Sequence, residues 1–144
     1  MKETDSEVID VLKRVHLFDE LPDKTLKVVA SQVRRFDYSS GDPVIEEEAT
    51  GKFGRMYVIL SGTADARRSD ETIASLGPGD LFGEMSMLDG GPRSATIVAT
   101  SELSTIGLSS WNMRALLREN PDLALHVIQV LATRLRAANA RSLD

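Results

Sequence analysis

The chain has 144 residues, of which 42% are apolar and 27% charged, and no cysteine. That is one domain of ordinary size, with enough apolar residues to form a core; disulfides, thiolate metal sites and cysteine nucleophiles are excluded. The net charge of −5 argues against direct nucleic-acid binding, which needs a basic surface.

No apolar run approaches the length of a membrane span, and the polar N-terminus, Met1-Lys2-Glu3-Thr4-Asp5, does not read as a signal peptide. A cytoplasmic address with no membrane contact is expected. Val8, Val11, Leu12 and Val15 recur at helical spacing and predict a helix over residues 6–15. Leu17-Phe18-Asp19-Glu20-Leu21-Pro22 reads as a turn into a second helix near residues 23–31, with Pro22 at its start. From residue 32 the pattern turns to strands: Val33, Phe36 and Tyr38, then a turn at Ser39-Ser40-Gly41-Asp42-Pro43, then Val44-Ile45. Glu46-Glu47-Glu48 reads as a solvated loop. Met56-Tyr57-Val58-Ile59-Leu60 is a strong strand ending at Ser61-Gly62. Residues 63–66 lead to a turn near Ser69-Asp70, and residues 72–76 return. Gly77-Pro78-Gly79-Asp80 is a further turn before Leu81-Phe82. Residues 96–99 and 103–108 complete a set of about eight short strands, which suggests a sandwich or barrel.

The last third is helical. Ser109 or Ser110 can cap a helix to about residue 119, whose Trp111 is expected to pack it onto the strands. Asn120-Pro121 then reads as an N-cap and first-turn proline. Ala124, Val127, Ile128, Leu131 and Leu135 form an apolar stripe on the helix that follows. His16 and His126 stand alone and outside the strands, so no metal-ligand set is expected. The predicted fold is mostly β with flanking α: an eight-stranded, jelly-roll-like β-roll with N-terminal helices and two C-terminal helices, in one domain over residues 1–144. Its parts are N-terminal helices (1–31), the roll (32–108) and C-terminal helices (109–141).

One segment, residues 82–96, interrupts the strand pattern with the parts of an anion cradle. It reads Phe82-Gly83-Glu84-Met85-Ser86-Met87-Leu88-Asp89-Gly90-Gly91-Pro92-Arg93-Ser94-Ala95-Thr96. Gly83 permits close backbone approach. Residues 84–88 can form one helical turn whose first amides lack internal partners and present the positive end of a dipole. Gly90-Gly91-Pro92 reverses the chain and returns Arg93 toward that turn, where its planar guanidinium can hold two oxygens of one phosphate. Ser94 adds a hydroxyl.

This segment resembles the phosphate-binding cassette of the cyclic-nucleotide-binding domain family. That family includes regulatory subunits of cAMP-dependent protein kinase, bacterial catabolite activators and cyclic-nucleotide-gated channels. The match falls on Phe82, Gly83, Glu84, Pro92, Arg93, Ala95 and Thr96. Leu17-Phe18 with Leu21, the run from Met56 to Gly62, and Pro78-Gly79-Asp80 extend it over nearly the whole chain. The loop from Glu48 to Arg55 departs from the family pattern: it is one residue longer and lacks the first glycine. The resemblance implies that Arg93 pairs with the exocyclic phosphate oxygens and Glu84 accepts from the ribose 2′-hydroxyl. Gly83, Met85 and Ser86 would supply backbone contacts, and Ser94 and Ala95 would meet the phosphate from the returning strand. Ala74 and Leu76 would face the base, and Leu131, Arg134 and Leu135 would close over it from the last helix as a lid.

It further implies a sensor that binds cAMP, or cGMP, without a cofactor and without transforming it. Serine rather than threonine after Arg93 favours cAMP. Hydrolysis would need a metal cluster or a placed general base, and the sequence offers neither. The last helix can also serve as a homodimer seam, which leaves a ligand-free interaction domain as the alternative. Catabolite activators carry a DNA-binding helix-turn-helix after the lid. This chain stops at Asp144, so it reads either as the sensor part of a longer regulator or channel, or as a module that does not itself bind DNA.

Overall fold

The computed structural model describes residues 2–45 and 54–142. The acidic run Glu46-Glu47-Glu48 and the departing loop, up to residue 53, lie outside the described residues. The chain forms two compact units, Gln32–Arg114 and the pair of segments Met1–Ser31 with Ala115–Asp144.

The first unit holds eight strands: β1 (Arg34–Tyr38), β2 (Pro43–Ile45), β3 (Arg55–Ser61), β4 (Ala64–Arg68), β5 (Glu71–Leu76), β6 (Leu81–Phe82), β7 (Thr96–Ala99) and β8 (Leu103–Ser109). They form two antiparallel four-stranded sheets, ordered β1-β8-β3-β6 and β2-β7-β4-β5. This is the β-roll that the strand spacing predicts. The turns follow from local chemistry. Asp80 N–H donates to Gly77 O at 3.0 Å across Pro78 and Gly79, and Gly79 has φ 88°. Proline then glycine at the two central positions is the composition of a type II turn. The β4–β5 turn places Ser69 and Asp70 at φ 52° and 66° between the paired residues Arg68 and Glu71. Two left-handed residues make the hairpin turn whose twist matches its strands.

Inside the roll, Ile45, Tyr57, Ile59, Ala64, Phe82, Ile97 and Leu103 form one buried cluster, and the Tyr57 ring stacks on Phe82 with centroids 5.2 Å apart. Ile59 is fully enclosed. Ile59→Ala is expected to cost about 2–5 kcal/mol by leaving a cavity. The check is a lower urea midpoint with an unchanged slope.

In the helical unit, α1 (Lys2–Leu12) leads through a turn with fully buried Leu17 and Phe18 to α2 (Asp23–Gln32). Leu26 N–H bonds Pro22 O at 3.0 Å, so proline stands at the helix start as expected. A short α3 (Glu84–Asp89) interrupts the roll, and α4 (Ser110–Glu119) and α5 (Pro121–Ser142) end the chain. Ser109 Oγ caps α4 by accepting from Asn112 N–H at 3.1 Å. Asn120 holds the expected N-cap position of α5, but its side chain does not cap that helix. Its side-chain amide donates backward to Leu116 O at 2.9 Å, closing the end of α4, while its own carbonyl starts α5.

Two expectations, on Trp111 and on the histidines, need correction. Trp111 does not pack onto the strands; it is 80% exposed. The apolar stripe of α5 is only partly buried: Val127 is enclosed, whereas Ile128 and Leu135 are exposed, and the buried face runs through Leu123, His126 and Val127. The histidines are not isolated. His126 Nε2 lies 3.0 Å from His16 O and 3.5 Å from Asp19 Oδ1, and His16 Nδ1 lies 3.7 Å from Asp19 Oδ2.

Candidate functional site

The cradle grows out of β6. Phe82 pairs with Tyr57 in the ladder. Gly83 then takes a left-handed turn, with φ 80° and ψ 5°, and α3 begins. Met87 N–H is the first to bond back, to Gly83 O at 3.2 Å. Among the described residues no backbone carbonyl takes the amides of Met85 or Ser86, which leaves the positive end of the turn available to an anion. Gly90 closes the helix by donating to Ser86 O at 2.8 Å. Ser86 Oγ donates to Pro92 O at 3.1 Å and ties the returning chain to the helix.

That return delivers Arg93 into the wall. Its side chain donates from Nη1 to Gly83 O and from Nη2 to Arg55 O, each at 2.9 Å. Arg93 is only 8% exposed, and among the described residues no acid lies within 4.0 Å of it. A buried cation held by neutral carbonyls is electrostatically incomplete. Burial pulls its pKa below the usual arginine value; the Tyr57 hydroxyl opposes this, and the Arg55 charge acts with burial. An anion placed beside the guanidinium would supply the missing charge.

Beside it opens a cavity of about 200 Å³. One part of the lining is apolar, from Ile45, Ala66, Ile73, Leu76, Leu81 and Ile97. The polar part comes from Gly83, Glu84, Ser86, Arg93, Ser94 and Arg68, with Met85 and Ala95 at the same wall. Of the sequence-predicted residues, Gly83, Glu84, Met85, Ser86, Arg93, Ser94, Ala95 and Leu76 therefore meet at one cavity. Ala74 does not line it. The β4–β5 register pairs Ala66 with Ala74 and Arg67 with Thr72, so Ile73 is an extra residue on β5. Such a bulge re-aims a side chain, and Ile73 takes the cavity position instead. Leu131, Arg134 and Leu135 lie on α5, in the helical unit. Sequence reasoning missed Arg68, whose Nε donates to Ser94 O at 3.0 Å, and Arg55, whose carbonyl holds Arg93 and whose guanidinium sits 4.4 Å over the Phe36 ring.

The fold and the cavity together define a β-roll in which a buried cation and an apolar strand wall face one cavity. The chain belongs to the cyclic nucleotide-binding domain family, whose model matches residues 35–120. It is 26% identical over 94% of its length to the CRP-like cAMP-activated global transcriptional regulator of Mycobacterium tuberculosis. To the cyclic AMP receptor protein of Thermus thermophilus it is 35% identical over 89%. It spans 62% and 61% of the lengths of those two regulators. Among solved structures, the N-terminal domain of a transcriptional regulator from Streptomyces coelicolor A3(2) superimposes with a TM-score of 0.85 at 31% identity, covering 94% of this chain and 96% of that one.

Proposed function

We propose that residues 1–144 act as one sensor module that binds cAMP in preference to cGMP and passes the signal on by movement of α5. The buried Arg93, with carbonyl partners and no acid within reach among the described residues, is the observation that carries this reading. Arg93 would take the exocyclic oxygens of the cyclic phosphate, with the amides of Met85 and Ser86 and the hydroxyl of Ser94 completing the cradle. Glu84 would accept from the ribose 2′-hydroxyl. The base would lie along Leu76 and Ile73, with Leu131, Arg134 and Leu135 closing over it. A ligand shifts α5 only through different affinities for its two positions.

The module holds its ligand without transforming it and needs no cofactor. The effector is a partner chain or a further domain; the lengths of the M. tuberculosis and T. thermophilus regulators favour the sensor part of a longer regulator. Direct nucleic-acid contact is not assigned to these residues, given their net charge of −5. Among the described residues no helix is long and apolar enough to cross a membrane, and a cytoplasmic address is proposed. A second reading, homodimerisation through α5 without a ligand, is favoured by the exposed Leu125, Ile128 and Leu135 on that helix.

Calorimetric titration with cAMP and with cGMP tests the first reading. Saturable heat is expected for both, with the tighter constant for cAMP. No saturation by either up to ~1 mM, a free energy of only about 4 kcal/mol, would leave the second reading, which sedimentation of the ligand-free domain then examines.

A further inference from the structure

Arg68 is the last residue of β4 and stands where the β4–β7 ladder stops. The pairing runs from Ala64 opposite Ala99 to Arg67 opposite Thr96. One residue further on, a side chain replaces the backbone bond: Arg68 Nε donates to the carbonyl of Ser94, the residue that follows Arg93. The left-handed pair Ser69 and Asp70 fixes the strand end from which this side chain departs. Arg68 also lines the cavity. Its fork carries five N–H groups, and among the described residues only Nε is engaged. The terminal nitrogens remain available to an acceptor in the cavity.

We propose that Arg68 is a second, ligand-positioning cation of this site: it clamps the returning strand at Ser94 and adds a guanidinium for an anionic ligand. The inference rests on the cyclic-nucleotide reading above. The two arginines differ in a way that can be measured. Arg93 is buried and poorly screened, whereas Arg68 is exposed, so its contribution depends on ionic strength.

The experiment is calorimetric titration of cAMP into the full chain and its Arg68→Ala, Arg68→Gln and Arg68→Lys variants, at low salt and at ~0.5 M salt, where screening acts over about 4 Å. Arg68→Ala is expected to weaken binding about fivefold at low salt, and the deficit should shrink at high salt. Arg68→Gln, which can donate but carries no charge, should behave like the alanine variant, and Arg68→Lys should recover most of the affinity. Melting temperatures should stay close to the parent, because the side chain is exposed. An alanine variant as tight as the parent at low salt overturns the proposal. So does a deficit that salt leaves unchanged and glutamine repairs as well as lysine, which would mark a strand clamp alone. A parent chain that binds no cAMP fails earlier, at the cyclic-nucleotide reading, and takes this inference with it.

Discussion

Replacing Arg93 with lysine is expected to weaken cAMP binding by at least about 100-fold, close to 3 kcal/mol, while the β-roll stays folded. Lysine keeps the charge, so the loss measures geometry. The guanidinium spends one arm on Gly83 O and another on Arg55 O and still has N–H groups to offer. An ammonium is a compact point charge with three donors and cannot span two carbonyls and two phosphate oxygens together. Arg93→Ala goes further. It removes the cation and takes a donor from two carbonyls; Gly83 O keeps Met87 N–H, so the cost falls mainly on Arg55 O, at about 1–3 kcal/mol when buried. Against a stability of about 5–15 kcal/mol typical of such domains, that lowers the melting point without abolishing folding. Titration with cAMP reads the first effect, and thermal unfolding without ligand reads the second. A lysine variant that binds within a few-fold of the parent would show that Arg93 acts only through its charge, and the cradle geometry would lose its role.

What could be read in the sequence was local. Pro78-Gly79, Pro22 and Asn120-Pro121 mark turns and helix starts because each fixes its own backbone angles. The run Met56–Ile59 marks a strand because it is apolar without interruption. The cradle was legible for the same reason: Gly83 to Ala95 is one contiguous stretch, so its resemblance to the family's cassette could be matched residue by residue. What failed depended on partners distant in the chain. Arg68 meets Ser94 across 26 residues and Arg93 meets Arg55 across 38, and neither pairing has a local signature. Ile73 replaces Ala74 because of a one-residue bulge, and alternation along β5 predicts the opposite face. On α5, Leu123, Ala124, Leu125, Val127, Ile128, Val130 and Leu131 crowd nearly the whole circumference. Periodicity then cannot select the buried face, and the stripe from Ala124 to Leu135 could be read as core, dimer seam or lid.

Gly83→Ala is expected to destabilise the domain by about 2–4 kcal/mol and to remove measurable cAMP binding. Two terms add. At φ 80° an alanine pays for the left-handed backbone, about 1–2 kcal/mol. Its Cβ would also stand 2.9 Å from Arg55 O, 3.0 Å from Arg93 Nη1 and 3.1 Å from Ile45 Cδ1. The isoleucine methyl can rotate away. The Arg55 carbonyl cannot, because it belongs to β3 at the ladder end where Arg55 pairs with Ser109. The remaining escape is to push the Arg93 guanidinium off its two carbonyls, which dismantles the cation site itself. Gly79→Ala separates the terms. Its φ is 88°, yet nothing lies within 4 Å of the added Cβ. It should therefore show the backbone cost alone, with cAMP affinity intact. Urea midpoints and titrations on the two variants decide the matter. If Gly83→Ala costs no more than Gly79→Ala and still binds, the close approach of Gly83 to Arg93 is not what holds the cradle in shape.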